Sequence, residues 1–308
     1  MRIGITGATG LIGGALASEL AGRGHEVVAL TRSARTPGGL PPGVGSAQWN
    51  PGGDGADAGL VAVLEGLDSL VHLAGEPVGK RWTAARKRAI RASRVGGTKT
   101  LVAALGAARS RPRRLLAASA VGYYGPRGDE EVAEDAAPGT DFLAEVCTEW
   151  EDASAGARQA EVETVLMRIG VVLSPRGGAL ATMLPPFRMG VGGRVGSGRQ
   201  WMPWIHLADV AAAMVHLLEA PAGSLEPVYN LTAPHPVTNA DFTSALGKAL
   251  RRPTILPVPG FGMQLAFGEM AGALLLSGQR VVPRRLLASG FEFQHPEIGP
   301  ALMDLVGN

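Results

Sequence analysis

Short apolar runs alternate along most of the chain with longer Ala/Leu-rich stretches. Residues 3–6, 27–30, 69–73 and 115–119 are largely apolar runs without strict alternation, the pattern of strands buried on both faces. Residues 162–173 are β-branched and apolar, and read as one further strand. Residues 11–21, 83–108, 207–218 and 239–250 have helical length and composition. Such alternation predicts βαβ units with right-handed crossovers. The expected fold is therefore α/β, a Rossmann-type doubly wound parallel sheet with a smaller C-terminal substrate or cap region. Residues 1–175 are assigned to the dinucleotide-binding unit, with 200–235 returning to it. Residues 176–199 and 236–308 are assigned to the smaller, partly helical region. Residues 36–57, rich in Gly and Pro, and the glycine-rich residues 190–198 read as loops. After Pro253, residues 261–276 and 279–287 read as a C-terminal helical unit.

Composition narrows the class of protein. With 308 residues, 46% of them hydrophobic and 18% charged, the chain can bury a large core and does not resemble a disordered one. A formal net charge of +2 is too small for a dedicated nucleic-acid binder. One cysteine, Cys147, excludes an intramolecular disulfide and fits a reducing, cytoplasmic setting. The chain opens directly on a strand-like run, with no leader pattern ahead of it. Its longest apolar stretch, 261–277, is broken by Glu269 and several glycines, so no membrane span is expected. The six histidines have no metal-ligand spacing, and no metal is expected. The expected assembly is a monomer or homodimer.

The strongest motif is Gly7-Ala8-Thr9-Gly10-Leu11-Ile12-Gly13, set between the first strand and the first helix. Glycines there allow a sharp turn, and bring backbone N–H groups and a helix N-terminus against a pyrophosphate. The second strand ends at Leu30-Thr31-Arg32. An NAD site usually places an acid here for the ribose 2′-hydroxyl; none is present. Arg32 suits a 2′-phosphate instead, with Thr31 as a hydrogen-bonding neighbour, so NADP is the expected cofactor. The later strand ends at His72-Leu73-Ala74-Gly75, small residues that let the backbone pass close to the nicotinamide-side ribose. His72 itself reads as a packed strand residue.

These motifs, with Ser119 to Gly125 and Trp204 to Val210, resemble the extended short-chain dehydrogenase/reductases. The closer similarity is to the epimerase-family subgroup labelled sugar-nucleotide epimerase or cell-division-inhibitor-like. It is carried by Ala74-Gly75-Glu76, Ser93-Arg94, Gly122-Tyr123-Tyr124-Gly125, Phe142-Leu143 with Trp150-Glu151, Arg168 with Gly170 to Leu173, and Gly196-Ser197-Gly198 with Pro203 to His206. Gly278 to Pro283 with Gly290-Phe291 resembles that subgroup's C-terminal domain of unknown function. The resemblance implies NADP(H) contacts from Thr31, Arg32, Leu73, Ala74, Arg94 and Val172.

The superfamily's usual proton relay is a Ser or Thr followed by Tyr-x-x-x-Lys. Here the Tyr position falls on Leu143 and the Lys position on Cys147, and neither can do that work. Ser119 remains as a candidate to orient a substrate, though a shift of one residue puts Ala120 there instead. Tyr123 and Tyr124 are the remaining candidate acid/base groups; the alternative is that they pack as a pocket wall. On the substrate side, Arg194 and Arg199 beside Trp204 suit a phosphate or nucleotide diphosphate; the alternative is a solvated loop. Residues 77–128 carry no acid and many cations, read mostly as a solvated helix face with Arg94 exempted. Two functions follow. One is an NADP(H)-dependent oxidoreductase or epimerase-like enzyme acting on a small polar or nucleotide-linked carbonyl or hydroxyl compound. The other is an NADPH-binding regulatory or sensor protein with little turnover.

Overall fold

The computed structural model describes residues 1–33, 38–53 and 57–307. The chain begins β1 (Arg2–Thr6), α1 (Leu11–Gly22), β2 (Glu26–Thr31), β3 (Gly45–Gln48), α2 (Ala58–Glu65) and β4 (Ser69–His72). It continues through α3 (Ala84–Arg91), a π-helical turn (Ala92–Gly96), α4 (Gly97–Ala107), β5 (Arg114–Ala120), the two-residue β6 (Glu131–Val132), α5 (Phe142–Ala155) and β7 (Glu163–Ile169). Then come β8 (Val171–Leu173), α6 (Gly178–Arg188), β9 (Trp201–Met202), β10 (Trp204–His206), α7 (Leu207–Glu219), β11 (Val228–Leu231), β12 (Val237–Thr238) and α8 (Asn239–Leu250). Last are α9 (Gly260–Phe267), α10 (Glu269–Leu274), β13 (Arg280–Val281), α11 (Arg284–Ala288) and α12 (Ile298–Val306).

Seven strands form one sheet in the order β11-β7-β5-β4-β1-β2-β3, all neighbours parallel. Both faces are covered, which is why the central strands are largely apolar, with buried polar residues such as Thr6, His72, Ser119 and Arg168 toward their carboxyl ends. Leu16, Ala17 and Leu20 of α1 pack with Val210, Met214 and Leu217 of α7 on one face. Leu60 and Leu64 of α2 pack with Leu101, Ala104 and Leu105 of α4 on the other. The strand order reverses between β1 and β4, and ligands of such sheets bind outside the carboxyl ends at that point. The register puts Leu30, Thr6, His72 and Ala117 side by side, so β2, β1 and β4 end close together there.

Several elements depart from the sequence reading. The expected loop 36–57 contains β3, which extends the sheet beyond β2; residues 36–37 and 54–56 lie outside the described residues. The expected strand 162–173 is two strands. At Gly170 the chain leaves β11 and joins β10, so Gly170 N–H donates to Leu231 and Val171 N–H to Pro203. A Cβ on Gly170 would sit 2.3 Å from the Pro203 carbonyl oxygen, so no larger residue fits that crossing. The expected C-terminal helix 261–276 is broken at Gly268 into α9 and α10. Residues 279–287 begin as β13, which pairs with β6, before α11 starts. Buried Asp209 on α7 accepts the N–H groups of Gln294 (2.8 Å) and His295 (3.0 Å), fastening the C-terminal segment to the sheet unit. No described helix is long and apolar enough to cross a membrane.

Candidate functional site

The Gly7–Gly13 turn fills the crevice at the end of β1. Gly7 has φ +71°, a left-handed conformation that glycine adopts without strain. A Cβ there would lie 2.9 Å from the Leu73 carbonyl carbon and 3.0 Å from the Ala74 nitrogen, so the turn presses on the end of β4. A Cβ on Gly13 would come within 2.3 Å of the Gly7 carbonyl oxygen. Gly10 is the N-cap of α1 and supplies no side-chain oxygen, and the first turn of α1 carries no acid. The opening amides at Leu11, Ile12 and Gly13 and the positive end of the helix dipole are thus left for an anion. Thr9 is in the same turn. Leu11 also meets the backbone of Gly177 and Gly178, where the segment after Val172 passes over the turn.

A directional chain of hydrogen bonds holds this crevice. Thr98 Oγ1 donates to the Arg94 carbonyl (2.6 Å), so it accepts from His72 Nε2 (2.9 Å). The other ring nitrogen, Nδ1, then accepts from Thr6 Oγ1 (2.7 Å). Thr6 Oγ1 in turn accepts the N–H groups of Leu73 (3.1 Å) and Ala74 (3.2 Å). Burial pushes the His72 pKa down to about 4, and the chain needs only the neutral ring. His72 is therefore a strut that fixes the end of β4 and the π-helical turn bearing Arg94.

At the edge of the crevice, Thr31 Oγ1 donates to the Ser33 carbonyl (2.6 Å), and Arg32 is exposed at the end of β2. No Asp or Glu occurs between Glu26 and Asp54. The Arg94 guanidinium lies against Gly75, where a Cβ would be 3.3 Å from Cζ, and over the Trp150 ring at 5.2 Å. Arg94 also donates to the Glu76 carbonyl (2.9 Å), and burial lowers its pKa from the ordinary guanidinium value.

The positions that the family's proton relay would fill are occupied quite differently. Leu143, Cys147 and Glu151 stand four residues apart on α5, so they share the face turned toward the end of β5. Cys147 is 4% exposed, and burial pushes its thiol up to about 12. Ser119 is buried and donates to Glu151 Oε1 (2.6 Å), so its proton is already committed. Arg168 closes on Glu151 with two bonds, Nε to Oε1 (2.8 Å) and Nη2 to Oε2 (2.9 Å). Burial alone would lower the Arg168 pKa, but the bonds and charge of Glu151 raise it.

This network corrects two sequence expectations. Tyr124 is fully buried, donates to Asn230 Oδ1 (2.7 Å) and accepts from Arg168 Nη1 (3.0 Å). Burial raises its pKa to about 12, so it is a structural hydroxyl rather than an acid/base candidate. Ser119 belongs to the same network and is not free to orient a substrate. Tyr123 is half-buried, with the Arg168 guanidinium 3.4 Å above its ring. Sequence reasoning missed the Glu151–Arg168 pair. The available signal was an acid at i+4 from Cys147 facing a strand that carries a lone Arg.

The expected substrate-side residues do not converge. Trp204 is fully buried, and its Nε1 donates to the His235 carbonyl (3.1 Å), so it is a core residue. Arg194 is exposed and donates to the carbonyls of Gly196 (3.3 Å) and Ser197 (2.9 Å), bracing its own loop. Arg199 is exposed. His206, His295 and Asp304 place one ligand-type atom each within 4.8 Å of one another, a grouping that sequence spacing concealed. His206 Nδ1 accepts the Ala208 N–H (3.1 Å), so a neutral ring keeps its proton on Nε2, facing Asp304 at 3.3 Å. With its proton there, Nε2 has no lone pair to offer a metal.

Comparison with known proteins agrees with this geometry. Residues 3–232 match the model of the NAD dependent epimerase/dehydratase family, and residues 258–305 match a domain of unknown function, DUF1731. The epimerase family protein MT2273 of Mycobacterium tuberculosis is 42% identical, over 97% of this chain and 96% of its own. The epimerase family protein SDR39U1 of Homo sapiens is 38% identical, over 99% of this chain and 100% of its own. The crystal structure of human SDR39U1 (isoform 2) with NADPH superimposes with a TM-score of 0.86 and 35% identity, each chain covered over its full length. The chain belongs to the NAD-dependent epimerase/dehydratase family.

Proposed function

We propose that this protein binds NADP(H) and exchanges hydride with a small carbonyl or hydroxyl substrate, water rather than a Tyr/Lys pair carrying the proton. The observation that carries the cofactor reading is the pairing of an uncapped, glycine-lined helix N-terminus with an acid-free second strand that ends in an exposed Arg32. The backbone of Gly7, Thr9, Gly10, Leu11, Ile12 and Gly13 would hold the pyrophosphate. Arg32, with Thr31, would hold the 2′-phosphate. Leu73, Ala74, Gly75, Val172 and Arg94 would flank the nicotinamide-side ribose. NADPH in the human SDR39U1 crystal structure supports the assignment. When bound, the reduced nicotinamide supplies a hydride; the chain's own residues orient it and leave the proton to water.

A second reading, an NADPH-binding regulatory or sensor protein without turnover, is favoured by Leu143 and Cys147 at the relay positions. A fluorescence titration with NADPH and a stopped assay against carbonyl compounds and nucleotide sugars separate the two. NADPH binding with turnover that survives Ser119→Ala supports the enzyme. Binding without turnover across the panel supports the sensor, and no binding at all refutes both.

A further inference from the structure

Immediately beside Leu143 is a cavity of about 560 Å³. That is within the range of small-molecule sites, roughly 300–1,000 Å³. Its floor is Trp82 and Phe142, packed edge to face with ring centroids 5.2 Å apart, and Leu143. Gly272 and Ala273 of α10 form the opposite wall. Arg81 ties down the preceding helix, α9, by donating to the carbonyls of Leu265 (3.2 Å) and Ala266 (3.3 Å).

The charge of the lining is specific. Asp141 and Glu269 are on it, and no Lys or Arg is among the described lining residues. Asp141 is already the N-cap of α5, accepting the Ala144 N–H (2.9 Å), and Glu269 pairs with Lys87. Lys87, with Nζ 4.6 Å from the Phe142 ring centroid, is taken up by Glu269, so a nucleotide diphosphate here would have to compete with that carboxylate for its cation and would also face Asp141.

We propose that this cavity is the substrate site, and that it takes a flat, uncharged, conjugated acceptor of the quinone type rather than a nucleotide sugar. The inference rests on the NADP(H) reading above. The proton inventory supports it independently of the cavity's polarity. Reduction of a simple ketone leaves an alkoxide, whose conjugate acid is about as weak as water. Reduction of a quinone leaves a phenolate, with a conjugate acid near pKa 10. The second product thus depends far less on an acid at the Tyr position, where this chain has Leu143. In the balanced step, a nicotinamide C–H bond breaks and the hydride, with its electron pair, forms an O–H bond at one quinone oxygen. The displaced π electrons rest on the other oxygen as phenolate, which takes a proton from water. NADPH is oxidised and the quinone is reduced by two electrons.

The test uses duroquinone, whose fully methylated ring cannot add a thiol, and UDP-glucose. Binding of each to the cofactor-free protein is followed by tryptophan fluorescence. Duroquinone is expected to quench in the native protein and far less in Trp82→Phe. Gly272→Phe is the blocking variant, because an added Cβ at Gly272 meets nothing within 4 Å and the ring can grow into the cavity without backbone clash. Duroquinone affinity and duroquinone-dependent NADPH oxidation are expected to fall at least tenfold in Gly272→Phe, with NADPH affinity within twofold of the parent. Tighter binding of UDP-glucose than of duroquinone overturns the proposal. So does duroquinone binding that Gly272→Phe leaves unchanged, or binding without NADPH oxidation in a protein that binds NADPH. Failure to bind NADPH overturns the cofactor reading instead, and the cofactor-free titration tells the two failures apart.

Discussion

Replacing Arg168 by Met isolates the buried network that removes Ser119 and Tyr124 from the list of reacting groups. Arg168 is 4% exposed and makes both Glu151 contacts, at 2.8 and 2.9 Å, besides reaching Tyr124 Oη and the Glu134 carbonyl. Methionine keeps most of the volume but strands Glu151 as a buried carboxylate with only Ser119 as donor. Stranding one partner of a buried pair costs about 3–5 kcal/mol. Against a typical stability of about 5–15 kcal/mol, that is a large share. With a urea slope of about 2–3 kcal/mol/M, the unfolding midpoint should fall by roughly 1–2.5 M. The double variant Arg168→Met/Glu151→Gln removes the stranded charge, and should recover about 2 kcal/mol of the loss. Urea unfolding of the four proteins in the cycle measures both quantities. A single-variant loss under about 1 kcal/mol, or a double variant no better than Arg168→Met, would refute the network as a stabilising unit.

Other consequences follow from neighbouring groups. Because His72 is held neutral with its pKa near 4 against 6.5 in an unfolded chain, acid favours the unfolded state. Stability should be full above pH 6.5 and decline by about 3 kcal/mol as pH falls to 4, a slope that thermal melts of His72→Asn should show reduced. Buried Cys147, with its thiol pushed up to about 12, should resist a disulfide reagent in the native protein and react stoichiometrically in urea; rapid native labelling would contradict its burial. Gly13→Ala forces a methyl to within 2.3 Å of the Gly7 carbonyl oxygen. At about 1–3 kcal/mol of overpacking strain in the turn, NADPH affinity should drop roughly 5- to 150-fold, read by titration.

What could be read from the chain follows from how local each signal is. The β1 turn was legible because strand, glycines and helix are contiguous, and Gly10 and Gly13 have steric reasons within that segment. Helix α8 was legible from the length and composition of residues 239–250, and the structure adds a capping box of Thr238 and Asp241 at its start. Strand β3 was hidden, since Gly45–Gln48 is short, polar and sits among glycines and prolines; only its place at the sheet edge makes it a strand. Tyr124 looked like a substitute acid/base once the usual relay was missing, and Trp204 looked like a ligand neighbour because it follows two arginines in a glycine-rich run. Their burial is decided by partners over a hundred residues away for Tyr124 and thirty-one for Trp204, which no local pattern reveals. The cavity beside Leu143 joins Trp82, the start of α5 and the α9–α10 pair, three segments remote in sequence.

The most direct measurement of the central claim is calorimetric titration of the purified protein and of Arg32→Asp with NADPH and with NADH. Loss of a charge-assisted phosphate contact, worth about 1.5–3 kcal/mol, should weaken NADPH roughly 10- to 150-fold and leave NADH nearly unchanged or tighter. Equal NADPH affinity in the two proteins would contradict the account.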